Sequence, residues 1–426
     1  MTHIAIDGPG GAGKSSVAKL IAEKLKFIYV DTGALYRAVG YYMVTHGIRP
    51  RDAENVVAAL PNVKISLKFT DRQELYLCGE DVGDKIRTPE ISMAASDVSA
   101  IPEVRAFLLE TQRSIARANS VIMDGRDIGT VILPNADLKI FLFASPEARA
   151  KRRHAELIAK GQDVSYESVL AEMNARDTND STRAAAPCVP AEDAILLDNS
   201  VLDLQGTANA IISLLKKKKQ LDKEIKVYNR FRAVLATPLR FLFGIHAIGK
   251  ENIPAHGGIL ICSNHLGMRD PVLLAAAYPR QIRFIAKKEL FSVPILRNVI
   301  SAFGAIRLDR SGTDVSALKK AEEMIRLRQT VSIFPQGHRK PSVPVGETTF
   351  KHGAGFIASH TDCTILPVYI QTKRQKYALF RRVRIHFGKP FTPTEIDCDD
   401  SSKKYEAITQ RIHEEIIALE KSANEA

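Results

Sequence analysis

Gly8-Pro9-Gly10-Gly11-Ala12-Gly13-Lys14-Ser15 fits the pattern GxxxxGK[ST]. It follows a predicted strand, His3–Asp7, and opens a predicted helix, Ser15–Leu25. That context is what phosphate binding needs. Glycines let successive backbone N–H groups turn inward, and the helix start adds the positive end of its dipole. Lys14 would then reach the β and γ phosphates and act in transfer, and Ser15 would ligate Mg²⁺. Gly8, Gly10, Gly11, Ala12, Gly13, Lys14, Ser15 and Ser16 form the expected binding set for ATP–Mg.

The acceptor must come from other residues. Asp31-Thr32-Gly33-Ala34-Leu35-Tyr36-Arg37 follows a second strand and puts an acid, a hydroxyl and a guanidinium at one rim, a group able to hold a nucleoside monophosphate. Asp124-Gly125-Arg126-Asp127 closes a later strand, where the carboxyl ends of parallel strands form a ligand crevice. Asp124 is a candidate to organise Mg²⁺ or orient the acceptor, and a structural strand-end role is equally open. Arg176, Asp180 and Arg183 share one face of a helix end. Arg149, Arg152 and Arg153 share a face of another, which by itself reads as a solvated basic surface.

A second cluster lies far along the chain. In Asn264-His265-Leu266-Gly267-Met268-Arg269-Asp270 a histidine and a carboxylate five residues on emerge after the strand Gly258–Cys262. A carboxylate so placed can hold the imidazole in one tautomer and make it a better base. Gly304-Ala305-Ile306-Arg307-Leu308-Asp309-Arg310, Phe334-Pro335-Gln336-Gly337-His338-Arg339 and Leu366-Pro367-Val368 follow, the first two supplying cations after strands.

The elements that must carry these groups alternate strand and helix. His3–Asp7, Phe27–Asp31, Ser120–Asp124, Leu138–Phe143 and Ala194–Leu197 predict a parallel sheet covered by helices. Alternation in Val63–Phe69 and Glu74–Cys78, flanking Asp71-Arg72, predicts a small antiparallel insert at about 60–90. A helix from about Asp203 is expected to end in Lys216–Lys219, a solvated helix end or linker. The domain boundary is placed there. Gly258–Cys262, Ile282–Ala286, Val331–Phe334, Thr364–Ile370 and Val383–Phe387 predict a second α/β sheet. The reading is a domain over 1–217, a basic linker and amphipathic helix over 218–246, and a second domain over 247–426.

With 426 residues, 45% of them hydrophobic and 25% charged, the chain can bury two cores. Its charge is uneven: net −4 for residues 1–215 and +16 for 216–426. The basic half suits nucleic acid, an anionic membrane surface or phosphate-bearing substrates. No nucleic-acid-binding signature accompanies it, so nucleic acid is not an expected partner. Five widely spaced cysteines without a CxxC pair point to a reducing compartment, and the start of the chain leaves no room for a signal peptide, so a cytoplasmic location is expected. No run of about 18 apolar residues occurs. Val227–Ile245, apolar but carrying Arg230, Arg232 and Arg240, fits a helix in a membrane interface, kinked at Pro238, or one packed on its own domain.

Residues 1–217 resemble the bacterial cytidylate kinases, and several independent motifs agree. The resemblance implies that Thr32, Arg37, Ser99, Arg105, Arg126, Asp127, Arg176, Asp180 and Arg183 surround CMP or dCMP, and that Arg149, Arg152 and Arg153 are lid arginines closing over the transferring phosphoryl group, Arg149 and Arg153 acting in transfer. Residues 225–390 resemble the glycerolipid acyltransferases that include 1-acylglycerol-3-phosphate acyltransferase. That resemblance implies that His265 deprotonates the acceptor hydroxyl, that Asp270 orients it, and that Lys287, Arg310, Arg339 and Lys351 bind the acceptor phosphate. Cys262 then has no nucleophilic role and is read as a buried strand residue. Two positions depart from the common pattern: Gly267 where Ser is frequent, and Gln336-Gly337-His338 where Glu-Gly-Thr is usual.

The implied fold is a P-loop nucleoside-monophosphate-kinase α/β sheet with helices on both faces, then an α/β acyltransferase domain. The implied function is bifunctional: ATP-dependent phosphorylation of CMP, and transfer of an acyl group from coenzyme A or acyl carrier protein to lysophosphatidic acid at the inner membrane face. The alternative keeps the kinase and makes the second domain a non-catalytic or differently specific lipid binder.

Overall fold

Short β-branched runs between amphipathic helices build the first sheet. The computed structural model describes residues 1–425 apart from 70–72, 160, 183–186, 309–314, 362, 373–376, 379, 399 and 401–402. The chain divides into two units, Met1–Lys219 and Gln220–Ala426.

The first unit runs β1 (His3–Asp7), α1 (Lys14–Leu25), β2 (Ile28–Asp31), α2 (Thr32–Thr45) and α3 (Ala53–Ala59), then the insert β3 (Ile65–Phe69), β4 (Gln73–Leu77) and β5 (Glu80–Asp81). It continues α4 (Pro89–Ser99), α5 (Pro102–Ala118), β6 (Val121–Gly125), β7 (Leu138–Phe143), α6 (Pro146–Ala159), α7 (Tyr166–Thr182) and β8 (Ile195–Asp198). The main sheet is parallel throughout, in the order β2-β6-β1-β7-β8. Its central strands are buried, so they read as continuous apolar runs. Because β1 and β6 are parallel neighbours, Asp7, the glycine-rich loop and Asp124 share the carboxyl end of the sheet. The antiparallel insert puts Leu75, Leu77 and Val82 into one core with Leu35, Met43 and Val98 from α2 and α4. The expected Asp71-Arg72 turn lies outside the described residues.

The expected helix end at Lys216–Lys219 is not found. α8 spans Leu204–Leu242 as one helix and carries Pro238 inside it. Lysine is a good helix former, and the buried positions Leu215, Leu221 and Tyr228 carry the pattern past the charge run. The helix also stops short of Ile245, which begins a strand, β9 (Ile245–Ile248), that the sequence did not suggest.

After β9 the second unit holds β10 (Ile259–Ser263), α9 (Asp270–Ala277), β11 (Ile282–Lys287), α10 (Pro294–Ala302), β12 (Ile306–Leu308), α11 (Val315–Arg326) and β13 (Thr330–Ile333). α12 (Gly353–Ser359), β14 (Thr364–Thr372), β15 (Val383–Phe387) and α13 (Lys404–Glu425) complete it. The sheet order is β12-β11-β13-β10-β14-β15-β9, parallel except for the β14–β15 pair. β10 is central and buried along its length, so its carboxyl end delivers Asn264 and His265 from a fixed base. Cys262 is buried in it, and burial pushes its thiol pKa up, away from a nucleophilic role.

Candidate active sites

The phosphate loop leaves β1 through Gly8. Its φ is 144°, and a Cβ there would sit 2.0 Å from the Leu142 carbonyl oxygen of β7, so glycine is required. Lys14 is buried at the start of α1, and its Nζ donates to the Pro9 carbonyl at 2.7 Å. Burial, helped by the nearby Arg126 charge, lowers its pKa to about 7. Ser15 Oγ donates to Asp124 Oδ2 at 2.7 Å, and Tyr29 donates to Asp124 Oδ1 at 2.8 Å. Burial and the Asp31 charge push the Asp124 carboxyl up. Asp7, raised to about 6 by burial, accepts the Ile128 and Gly129 N–H groups, both at 2.7 Å.

These residues fit a magnesium ion carried in with a nucleotide. One hydroxyl and one buried carboxylate lie in contact at the phosphate loop, the sparse protein donor set Mg²⁺ uses when phosphates and water supply the rest. Among the described residues no cluster of three or more His, Cys, Asp or Glu could hold a metal by itself.

The acceptor residues gather at the carboxyl ends of β2 and β6. Asp31 caps α2 by accepting the Ala34 N–H and pairs with Arg37 Nη2 at 2.9 Å. Thr32 Oγ1 donates to the Asp124 carbonyl at 2.7 Å. Arg105 forms an ion pair with Asp127, both largely buried, and donates to the Ser99 carbonyl at 3.1 Å. The Ser99 hydroxyl turns back to Ser96. Arg176 and Asp180 lie on α7, whereas Arg183 lies outside the described residues.

The three α6 arginines separate. Arg149 is buried and donates to the Ala144 and Gly10 carbonyls and, at 2.6 Å, to Asp177. It braces the phosphate loop from beneath. Arg152 donates to the Asn199 carbonyl at 2.6 Å, and Arg153 pairs with Glu156 on the exposed side of α6.

In the second unit His265 Nδ1 meets Asp270 Oδ2 at 2.6 Å. Asp270 is fully buried and also accepts the Leu266 N–H at 2.7 Å, the Gly267 N–H at 2.9 Å and the Tyr377 hydroxyl. The imidazole stacks on Phe334 with centroids 4.2 Å apart, and with Nδ1 taken by Asp270, Nε2 is the nitrogen without a hydrogen bond among the described residues. Gln336, at the position where Glu is usual, accepts the His265 N–H at 2.7 Å and donates to Thr348 Oγ1 at 3.0 Å. The first bond is one a carboxylate could also make, so the loss of charge leaves the backbone of His265 held.

His265 lines a groove of about 930 Å³ whose walls include Phe231, Leu239, Phe284 and Ile333. Lys287, Arg339 and Lys351 line it too, so three of the four expected phosphate-binding cations share a cavity with the base. The fourth, Arg310, lies outside the described residues. A largely apolar groove lined also by cations and a histidine suits an amphiphile with a long chain and an anionic head.

Residues 4–217 match the cytidylate kinase family model, half of the chain. The chain is 51% identical over 216 residues to the cytidylate kinase of Caldicellulosiruptor bescii, covering 50% of this chain and 96% of that one. It is 48% identical over 215 residues to that of Fervidobacterium nodosum, again 50% of this chain and 96% of the other. The chain belongs to the cytidylate kinase family. Residues 244–371 match the acyltransferase family model. The 1-acyl-sn-glycerophosphate acyltransferase of Thermotoga maritima aligns over 47% of this chain and 81% of its own length, with 25% identity and a TM-score of 0.33.

In the cytidylate kinase unit, sequence reading missed Tyr29, Asp7, Asp177 and Asn199, whose side chains hold Asp124, the 128–129 turn, Arg149 and the Ala12 carbonyl. Asp7 had a signal, since a carboxylate closes the strand just before the glycines. Tyr29 and Asn199 had none, because their partners lie 95 and 187 residues away. In the acyltransferase unit the missed residues are Tyr377, 107 residues from Asp270, and Thr348.

Proposed function

We propose that the first unit transfers the γ-phosphoryl group of ATP to CMP or dCMP. The reading rests on the Lys14–Ser15–Asp124 arrangement with Arg126 beside Lys14, and on Arg37 of α2 and Arg105 of α5, paired with carboxylates at the ends of β2 and β6. An acceptor phosphate oxygen forms the new P–O bond as the β–γ bridge breaks and ADP leaves. Catalysis of such transfer is mostly positioning and neutralisation of charge. Bound with the nucleotide, Mg²⁺ would neutralise β and γ oxygens, held by Ser15 with Asp124 behind it. Arg37, Arg105 and Arg126 supply the guanidinium forks for the acceptor phosphate. Thr32, Ser99 and Asp127, with Arg176, Asp180 and Arg183, complete the acceptor set. With ATP and Mg²⁺ the purified chain should phosphorylate CMP and dCMP far faster than AMP, GMP or UMP. Equal rates for all five overturn the assignment.

The second unit, by our reading, acylates 1-acylglycerol 3-phosphate from a thioester of coenzyme A or acyl carrier protein, giving phosphatidic acid. The His265–Asp270 pair, with His265 lining the same groove as Lys287, Arg339 and Lys351, carries this reading. Nε2 takes the proton of the acceptor hydroxyl, whose oxygen bonds to the thioester carbon. The C–S bond breaks, and the thiolate leaves with the proton. Lys287, Arg310, Arg339 and Lys351 are assigned to the acceptor phosphate. His265→Ala should abolish acyl transfer and leave CMP phosphorylation intact; loss of both would refute two independent sites. Lipid binding without transfer to any acceptor would favour the non-catalytic alternative.

An anionic membrane surface is the proposed place of work. Support comes from Val227, Phe231, Val234 and Phe241, an exposed apolar stripe on α8 flanked by the exposed cations Lys223, Lys226 and Arg230. Among the described residues no helix is long and apolar enough to cross a membrane. Vesicles containing anionic lipid should retain the chain at low salt and release it at high salt. Equal retention on neutral vesicles would refute the electrostatic part.

A further inference from the structure

Asp270 is held by more than its histidine. Three donors converge on Oδ2: the His265 ring and the Leu266 and Gly267 backbone N–H groups. The remaining oxygen, Oδ1, is held from another part of the fold by the Tyr377 hydroxyl. A carboxylate bonded through one oxygen only can still rotate about its Cβ–Cγ axis; a donor on the second oxygen stops that rotation. Tyr377 comes from the chain after β14 and packs against the same core that holds Leu266 and Leu273.

Gly267 is the second observation. A Cβ there would lie 3.1 Å from Tyr377 Cε2 and 3.4 Å from Cδ2, closer than the ring tolerates without shifting. Any side chain at 267 would make the ring that donates to Asp270 give way by a few tenths of an ångström. We propose that the Tyr377 hydroxyl is a positioning group that fixes the Asp270 carboxylate for His265, and that Gly267 is the residue that admits it. The proposal rests on the acyltransferase reading for its kinetic consequence, not for its geometry.

Tyr377 stays protonated and donating, because burial and the Asp270 charge both hold its pKa well above the ordinary tyrosine value. Without the hydroxyl, Oδ1 is uncompensated and more of the carboxylate's charge acts on the imidazole. The other charged or titratable groups lining the groove with His265, namely Tyr228 and Arg232 from α8 and Lys287, His338, Arg339 and Lys351, are unchanged by that loss.

The test compares the full-length chain with its Tyr377→Phe and Gly267→Ala variants, the phenylalanine keeping the ring and its packing. Proton NMR follows the His265 ring, assigned by the resonance missing in His265→Gln. In Tyr377→Phe its titration midpoint should rise by a few tenths of a pH unit. With an acyl thioester and 1-acylglycerol 3-phosphate, kcat should fall about five- to fiftyfold with KM within about twofold, a smaller loss than removing the base itself. Gly267→Ala should move both readouts the same way. Transfer by the wild type with neither the titration nor kcat altered in Tyr377→Phe overturns the proposal. A shifted titration in a chain that acylates no acceptor sustains the positioning role and defeats the acyltransferase reading instead.

Discussion

Lys14 should take up a proton when nucleotide binds. In the free chain burial holds its pKa near 7 against 10.5 for an exposed lysine, so at pH 8 only about a tenth of the molecules carry the charge. Triphosphate oxygens at the loop restore a partner for the ammonium and return its pKa toward the upper value. Binding at pH 8 therefore takes up about 0.9 proton, whereas at pH 6 the lysine is already about nine-tenths charged and takes up only about 0.1. At pH 8 the nucleotide phosphates and Asp7, with its pKa near 6, are already ionised and add little. The same depression makes the nucleotide-free fold gain stability as pH rises from about 7 to 10.5, because over that window the unfolded chain holds a proton that the folded one has released. Calorimetry of ATP–Mg binding in two buffers of different ionisation enthalpy measures the uptake directly. Lys14→Arg, a cation at every working pH, should abolish it. A wild-type uptake below about a tenth of a proton at pH 8 refutes the buried, discharged lysine.

Gly8→Ala forces a Cβ against the Leu142 carbonyl and should cost about 2–4 kcal/mol, read as a lowered thermal midpoint of the kinase unit with weakened ATP binding. Arg105→Met strands the largely buried Asp127 charge and should destabilise by about 3–5 kcal/mol, part of it recovered when Asp127→Asn is added. Asp270→Asn presents an amide to a site built for an acceptor, and should cut acyl transfer by about 10²–10⁴-fold while CMP phosphorylation stays at the wild-type rate.

What the sequence made legible was whatever local periodicity and motif spacing encode. The strand cores, the glycine loop and the HxxxxD segment were each visible within a few residues, because their chemistry depends on near neighbours. β9 was hidden, since Ile245–Ile248 is a short segment whose pairing with β15 depends on residues some 140 positions away. The lysine run misled for a physical reason: four charges mark a solvated face without breaking a helix. Arg149, Arg152 and Arg153 looked equivalent on a helical wheel, and packing gave them three different partners. Long-range polar contacts such as Tyr29 with Asp124 and Tyr377 with Asp270 leave no trace in local pattern.

The side from which Asp270 holds His265 bears on the traffic of hydrogen in the proposed acylation. Asp270 meets the imidazole at Nδ1, and Nε2 lies on the other side of the ring, so the carboxylate is out of reach of the acceptor's proton. The hydrogen lifted from the acceptor hydroxyl must stay on His265 Nε2 and depart from the same nitrogen, onto the sulfur that leaves. Such a cycle returns to its starting protonation state without exchange with bulk solvent. It also moves a single hydrogen in acyl transfer, so under conditions where that step limits the rate, rates in mixtures of light and heavy water should fall on a straight line with deuterium fraction.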